Sequence, residues 1–268
     1  MDGAPVLEKL LAWYLAAGAD EAIGDLVNDR FAEEALRRRP RPAASPPTAV
    51  AAPAPPALGP DSPPAAIAQA RAAAAAATTL DELREAVCAF DGCTLRRTST
   101  NTVFADGVAQ SRIMFIGEAP GADEDRIGRP FVGASGQLLD RMLATIGLDR
   151  ARNAYITNVL FWRPPGNRKP TEAEIAICRP FVERHIVLLD PLFIVLVGGT
   201  ASAALLPGSA GITKLRGRWT SIAVDGLSRP VQAISMYHPS FLLRSPERKR
   251  ESWTDLLTIR LILKENGI

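Results

Sequence analysis

The chain has 268 residues, of which 47% are hydrophobic and 22% charged, a composition typical of a globular protein with one core of ordinary size plus additional segments. No apolar run approaches the roughly 20 residues that span a bilayer, and no secretory signal is recognisable, so we expect a cytoplasmic protein without a membrane segment. Three cysteines are too few for a disulfide framework or a four-thiolate site. Residues 112–268 hold 21 Lys and Arg against 15 Asp and Glu, which favours an anionic partner such as nucleic acid about as much as an Arg-rich surface of no function.

The first 64 residues divide into two segments. Apolar residues recur at helical spacing over 6–15 and 23–31, which predicts a small helical module in residues 1–38. This module is either a helix pair without activity or a docking element for a protein partner, and the sequence favours neither. Residues 39–64 contain 10 of the 22 prolines and almost no large apolar side chains, so we interpret them as a disordered linker.

Strands and helices alternate in the remainder of the chain, residues 65–268. Apolar runs rich in β-branched and aromatic residues predict strands at 113–116, 155–161, 193–197 and 231–236. Helical patterns occur at 65–77, after the Thr78-Thr79 pair, and at 137–147, 171–189, 200–206 and 247–264. This alternation predicts an α/β fold with a central, mostly parallel four-stranded sheet covered by helices on both faces. Ligands of such sheets bind beyond the carboxyl ends of the strands.

Polar motifs follow three of the predicted strands. The first strand runs into GEAPG, an acidic stretch and then RPFVG, where glycine and proline let the backbone approach a ligand beside the carboxylate of Glu118. The motif is neither GxGxxG nor a P-loop, because no Lys-Ser or Lys-Thr pair follows it. The second strand contains YITN and is followed by RPPGNRKPT, and the last strand runs into YHPSFLLR.

Together these motifs resemble the uracil-DNA glycosylase superfamily, and most closely its family 4. Six motifs, namely GEAPG, RPFVG, YITN, RPPGNRKPT, KLRGRW and HPSFLLR, occur in the family's order over about residues 88–264. The resemblance implies a three-layer α/β/α fold. It also implies a monofunctional DNA repair glycosylase that flips uracil out of DNA and hydrolyses its N-glycosidic bond, leaving an abasic site. We expect a monomer whose partner is uracil-containing DNA.

The resemblance places the family's uracil-binding residues on this sequence. Phe131 matches the ring that stacks on the extruded base, although an apolar residue between Pro and Val is otherwise typical of a core. Asn158 matches the amide that reads uracil O4 and N3–H, whereas an asparagine after a strand otherwise favours a turn or a helix cap. Ala119 and Gly121 match further pocket positions. Glu124 matches a position near uracil C5, with a solvated acidic loop as the alternative.

Two residues match the family's catalytic positions. His238 matches the histidine that donates to uracil O2 and stabilises the leaving anion, and the only other histidine, His185, is interpreted as structural because it lies in an amphipathic helix. Glu118 matches the carboxylate that orients the attacking water or balances the cationic sugar. Other branches carry an Asp one position later, where this sequence has Ala119.

A second set matches the family's DNA contacts. It combines basic side chains, a hydroxyl and a leucine that can wedge into the gap left by the extruded base. Its members are Lys214, Arg216, Ser240, Leu242 and Arg244.

Family 4 enzymes carry a four-iron, four-sulfur cluster bound by four cysteines. The resemblance places Cys93 and Cys178 on two ligand positions and puts Phe90 and Trp162 on the other two. Cys88 is a conceivable substitute, but three cysteines cannot build a four-thiolate site. We therefore expect a variant without cofactor or metal, in which large aromatic side chains fill the space of the cluster.

Three functions compete on the sequence alone. The first is an active uracil-DNA glycosylase without a cluster. The second is a non-catalytic DNA- or abasic-site-binding protein, which the lost ligands favour and the retained Glu118, Phe131, Asn158 and His238 disfavour. The third is a relative that cross-links to abasic DNA, but that branch has a GQ-type first motif and a His-containing basic insertion, and this chain has neither.

Overall fold

The computed structural model describes residues 62–208 and 210–268. The predicted N-terminal module and residues 39–61 of the predicted linker lie outside this range, so the module's protein partner stays a prediction. The first described helix, α1 (Pro63–Ala76), includes the last two residues assigned to the linker, because prolines fit the first turn of a helix. None of the helices described is long and apolar enough to cross a membrane.

A six-stranded sheet forms the centre of the described fold. Its strands are β1 (Ala105–Gly107), β2 (Ile113–Gly117), β3 (Tyr155–Asn158), β4 (Phe193–Val197), β5 (Trp219–Ile222) and β6 (Val231–Met236). They lie in the order β1-β3-β2-β4-β6-β5. The four central strands are parallel and are those predicted, whereas the antiparallel edge strands β1 and β5 were not predicted. The α/β fold class is confirmed, with a sheet two strands wider than expected.

Helices cover both faces of this sheet. Besides α1 they are α2 (Leu80–Ala89), α3 (Ala122–Ile127), α4 (Ala134–Ala144), α5 (Glu172–Leu189), α6 (Gly199–Leu205), α7 (Ile212–Leu215), α8 (Pro239–Arg244) and α9 (Lys249–Glu265). The longer helices agree with the sequence patterns. The short helices α3, α7 and α8 were not predicted, since one or two turns carry too little periodicity to recognise.

Alternate side chains of the central strands point into two separate cores. In β2, Met114 and Ile116 pack with α1, α2 and α5, whereas Ile113 and Phe115 pack with α4 and α9. All four side chains are fully buried, as expected for a strand covered on both faces. The result is the three-layer α/β/α arrangement.

Local sequence explains how the helices of the first layer begin and pack. Helix α5 starts at a capping box in which the Thr171 hydroxyl accepts from the Glu174 N–H at 3.2 Å and the Glu174 carboxylate accepts from the Thr171 N–H at 2.8 Å. Helix α1 buries Ala66, Ala70 and Ala74, which share one face because they are spaced by four. Small side chains on that face let α1 lie close against α5.

The four parallel strands end at one edge of the sheet. Gly117 of β2 pairs in register with Asn158 of β3, and Val197 of β4 pairs with Met236 of β6. The segments that follow these residues therefore converge, and they include the polar motifs found in the sequence.

Candidate active site

A cleft of about 510 Å³ opens at the carboxyl ends of the four parallel strands. It brings together all seven residues predicted for catalysis and uracil binding, and two of the five predicted for DNA contact. The seven are Glu118, Ala119, Gly121, Glu124, Phe131, Asn158 and His238, and the two are Ser240 and Arg244. Residues from separate sequence motifs therefore converge on one cleft.

Asn158 presents an unpaired amide oxygen in this cleft. Its side chain is 1% exposed, and Oδ1 has no hydrogen-bond partner among the described residues. A Cβ placed on Gly117 would lie 2.4 Å from Oδ1 and 2.5 Å from the Phe131 ring, so only glycine lets the amide and the ring approach each other here. Because a buried amide group without a partner is costly, this oxygen is suited to accept from a bound ligand.

Phe131 lies between the cleft and the core. Its ring packs in the core that contains α4 and α9, lines the cleft, and stacks near the His238 ring with centroids 5.5 Å apart and planes 30° apart. The ring therefore both packs in the core and lines the cleft. Its backbone has φ 52°, a left-handed conformation that is unfavourable for a bulky side chain.

The hydrogen bonds of His238 define its tautomer. Nδ1 lies 3.1 Å from the Ser240 N–H and 2.9 Å from the Ser240 hydroxyl, so it accepts, and the ring proton is assigned to Nε2. No described residue accepts from Nε2, which leaves this N–H for a ligand. Burial, assisted by the positive charge of Arg244, lowers the pKa of His238 to about 4, so the imidazole is neutral at pH 7. Gly198 (φ 101°) permits the histidine to lie here, since a Cβ on it would be 3.0 Å from the His238 Cβ.

The second histidine is a structural residue, as the sequence indicated. His185 is completely buried, stacks on Phe104 at 4.4 Å between centroids, and shares a 2.8 Å hydrogen bond between Nε2 and the Tyr155 hydroxyl. Burial lowers the pKa of His185 to about 3. It lies away from the cleft.

The two motif carboxylates occupy different environments. Glu118 is half-buried, and no described group donates to its carboxylate. The Glu124 carboxylate instead accepts from the backbone N–H groups of Gly121 at 3.1 Å, Val132 at 2.9 Å and Gly133 at 2.8 Å. Glu118 is therefore available to a ligand, whereas Glu124 joins the two loops that form the cleft wall. A contact of Glu124 with uracil C5 stays a prediction.

Two residues predicted to contact DNA are engaged within the protein. The Arg216 guanidinium donates to Asp255 at 2.7 and 3.0 Å and lies over the Tyr237 ring at 5.2 Å, so it connects α9 to the sheet. Leu242 is fully buried against Leu138 and Tyr237, because it faces inward from the single-turn helix α8. The leucine on the outer face of α8 is Leu243, which is 42% exposed. Lys214 is exposed as expected, although it does not line the cleft.

The cleft also contains residues that sequence reasoning missed. Asn167, Arg168 and Lys169, from the quoted motif RPPGNRKPT, form part of its rim. Arg168 makes two hydrogen bonds to Glu174 at 2.6 and 2.9 Å, whereas Lys169 is exposed and has no carboxylate partner among the described residues. Their presence in a motif after a strand was the available signal.

The residues at the family's cluster position do not fit a four-iron cluster. Cys93 and Cys178 are both buried, and the nearness of Cys93 together with burial raises the pKa of Cys178. The other two positions hold aromatic rings, with the Phe90 and Trp162 centroids 6.4 Å apart. Cys88 is exposed, and no three potential metal ligands come together in the part of the chain that is described. The donor set therefore lacks half of the thiolates such a cluster requires.

Fold and cleft define a class of protein. An aromatic ring, an unpaired buried amide and a neutral imidazole N–H are groups that bind a planar heterocyclic base, and they lie where an α/β sheet binds its ligand. The cleft of this α/β protein is therefore suited to a planar base.

Comparison with known proteins gives the family. Residues 104–257 match the Uracil DNA glycosylase superfamily. The chain is 37% identical over 185 residues to the Type-4 uracil-DNA glycosylase of Archaeoglobus fulgidus, covering 68% of this chain and 92% of that protein. It is 38% identical over 191 residues to the enzyme of the same name from Thermotoga maritima, covering 70% and 96% of the two chains. The chain belongs to the uracil-DNA glycosylase superfamily.

Proposed function

We propose that this chain removes uracil from DNA by hydrolysing the N-glycosidic bond, as a monofunctional DNA repair glycosylase. The observation that carries the proposal is the unpaired, buried Oδ1 of Asn158 beside the Phe131 ring and the neutral His238. These three groups offer an acceptor, a stacking surface and a donor to a flipped pyrimidine.

Recognition follows from the amide of Asn158. Its Oδ1 accepts from uracil N3–H and its NH₂ donates to O4 while the base stacks on Phe131. Cytosine presents an acceptor at N3 and an amino group at C4, so both hydrogen bonds would be lost. The pocket therefore discriminates between two bases of nearly equal size.

Leaving-group stabilisation follows from the tautomer of His238. The bond between sugar C1′ and uracil N1 breaks with its electron pair on the base, and the Nε2–H donates to O2, where negative charge grows. A neutral imidazole can make this hydrogen bond without first losing or gaining a proton.

Glu118 is assigned to the attacking water and the sugar. Its unengaged carboxylate faces the cleft, where it orients a water molecule toward C1′ and stabilises the positive charge on the sugar. The water oxygen bonds to C1′, and its proton passes to the carboxylate. The products are free uracil, which takes up a proton, and an abasic site.

DNA binding is assigned to the rim of the cleft and its surroundings. Lys169, Arg244 and the Ser240 hydroxyl lie at the rim, and Lys214 adds a further exposed cation. Leu243 takes over the wedge role first given to Leu242, because it is the exposed leucine of α8.

The test is excision from oligonucleotides with a single uracil, single- or double-stranded, analysed with and without alkali. We expect uracil release, and strand breaks only after alkali. Binding to uracil or abasic DNA without release would instead support the non-catalytic function, and breaks without alkali would contradict a monofunctional enzyme.

Asn158→Asp tests the assigned specificity. Replacing the NH₂ by a carboxylate removes the donor for O4 and offers an acceptor to the amino group of cytosine. We expect the ratio of uracil to cytosine excision to fall by about 10- to 100-fold, the effect of one hydrogen bond to a charged group. An unchanged ratio in a folded protein would contradict the role of Asn158.

We further propose that the chain works without the family's iron-sulfur cluster. The aromatic rings of Phe90 and Trp162, which stand at two of the four ligand positions and stack on each other, support this proposal. The purified protein should be folded, active and colourless, and should contain no iron. Stoichiometric iron and sulfide would overturn it.

A further inference from the structure

The backbone around Phe131 is held by side-chain hydrogen bonds on both sides. On one side, the Glu124 carboxylate accepts from the N–H groups of Val132 and Gly133. On the other side, the Arg150 guanidinium donates from Nη1 to the Pro130 carbonyl at 2.9 Å and from Nη2 to the Phe131 carbonyl at 2.7 Å. The left-handed conformation of Phe131 lies between these contacts. An unfavourable backbone conformation persists only where its surroundings enforce it.

Two carboxylates hold the Arg150 guanidinium in turn. Asp106 of β1 lies 2.9 Å from Nη1, and Asp140 of α4 accepts from Nε at 2.9 Å and from Nη2 at 2.8 Å. Burial opposes ionisation of Asp106, but the hydrogen bonds from Arg150 and Arg129 outweigh it and lower the pKa of the carboxyl. Arg150 is thus a mostly buried cation, 13% exposed, fixed from the sheet edge and from a helix.

The neighbouring helix restricts the space around the Phe131 carbonyl. A Cβ on Gly136, in the first turn of α4, would lie 1.9 Å from the Phe131 oxygen. The carbonyl is therefore confined between the α4 backbone and Arg150. A rotation of the 131 backbone that relieved its left-handed conformation would break the hydrogen bond to Arg150 or move α4.

We propose that Arg150 is a positioning residue for the base-stacking ring: it fixes the Phe131 backbone, and through it the ring, in the geometry that receives the flipped base. The inference rests on the proposed function. The planar guanidinium supplies donors to two carbonyls and two carboxylates at once, which a lysine ammonium with three donors cannot match. Arg150 touches no substrate, since it does not line the cleft.

The chain contains a matched control. Arg229 donates to the Pro191 carbonyl at 3.3 Å and to Asp190 at 2.7 Å, and Asp190 also has a left-handed backbone, with φ 46°. This contact lies at the amino end of β4, opposite the cleft. Arg229→Lys therefore removes the same type of contact from a place that does not touch the ring.

The experiment is a double-mutant cycle between Arg150→Lys and Phe131→Ala, measured as single-turnover uracil excision and as inhibition by free uracil. In the parent, Arg150→Lys should lower the excision rate at saturating enzyme and weaken uracil inhibition, each by about 10-fold, the scale of one base-aromatic stacking contact. Half-saturation for DNA should stay within about twofold, because phosphate contacts are unaffected. In the Phe131→Ala background, Arg150→Lys should have no further effect.

The inference would be overturned if Arg150→Lys had the same effect in the parent and in the Phe131→Ala protein. It would also be overturned if Arg229→Lys lowered excision as much as Arg150→Lys does. Either result would indicate a general structural role. If Arg150→Lys fails to fold, Asp140→Asn tests the same cycle through a half-exposed partner of the arginine. If the parent releases no uracil, the proposed function fails first. A crystal structure of the Arg150→Lys protein then decides, because positioning requires residue 131 to leave the left-handed region, and an unchanged backbone would contradict it.

Discussion

The cleft and the aromatic cluster around Phe90 use buried side chains in opposite ways. In the cleft, Asn158 has an unpaired oxygen, Phe131 has an unfavourable backbone, and Glu118 lacks a donor among the described residues. In the aromatic cluster, Phe90 stacks near Trp162 and meets Phe181 edge to face at 5.1 Å between centroids. Unsatisfied groups are costly without a ligand, whereas packed rings stabilise the fold directly. One region should therefore control activity and the other stability.

The largest expected effect concerns the aromatic cluster. Trp162→Ala empties the space of a side chain that is 1% exposed and should lower the free energy of unfolding by about 3 to 5 kcal/mol. The excision rate of the folded protein should change little. Trp253→Ala is the control, because Trp253 is 45% exposed and its loss should cost less than about 0.5 kcal/mol. Denaturant titration measures the free energy of unfolding of both variants. Equal losses would contradict the stabilising role assigned to the aromatic cluster.

In the cleft we expect an effect of nearly the same free energy, but here it concerns the rate of excision. His238→Ala removes the donor that meets the growing charge and should slow single-turnover excision by about 10²- to 10³-fold, with little change in DNA binding. His185→Gln is the counterpart, since it alters a fully buried histidine outside the cleft and should lower stability instead. Excision by His238→Ala at the parental rate would refute the leaving-group role.

A smaller effect is expected at the outer face of α8. Leu243→Ala removes the wedge and should lower excision from duplex DNA by about 10-fold relative to single-stranded DNA, which needs no gap filled. Leu257→Ala is the matched control, since this α9 side chain is also 42% exposed. A fall in the duplex-to-single-strand ratio for both variants, or for neither, would remove the assignment.

The smallest effect is a near absence of pH dependence. Because the pKa of His238 is lowered to about 4, its neutral form persists, and excision should stay nearly constant between about pH 8 and pH 5.5 before falling toward pH 4. Stability should fall over a wider range, from about pH 6.5, where histidines of the unfolded chain protonate, down to between about pH 4 and pH 3, where His238 and His185 of the folded chain do. A rate that declines as the pH rises through about 6.5 would indicate a cationic histidine.

The sequence predicted those features that depend on local pattern. The four central strands are mostly apolar and almost entirely buried, and the cleft residues lie in motifs at or after their carboxyl ends. The edge strand β1 escaped prediction because its three residues, Ala105–Gly107, are only partly buried. Which of Leu242 and Leu243 faces the core depends on how the short helix α8 is rotated about its axis. Two adjacent leucines in so short a helix do not reveal this from the sequence.

Long-range partners were beyond the sequence altogether. Arg216 and Arg244 are indistinguishable as charges, yet one is bound to Asp255, 39 residues away, and the other lines the cleft. Arg150 had no motif of its own, because its partners Asp106 and Asp140 lie on different elements. Only the folded structure shows which basic side chains are already paired with carboxylates.

The aromatic cluster also bears on what the protein needs in order to mature in a cell. Phe90, Trp162 and Phe181 come from three separate segments, so their packing is completed by the polypeptide itself as it collapses. A prosthetic group at this position would instead require assembly and delivery before the region could close. On the proposal that the chain works without a cluster, its abundance should not depend on the supply of iron, and iron starvation should leave it unchanged.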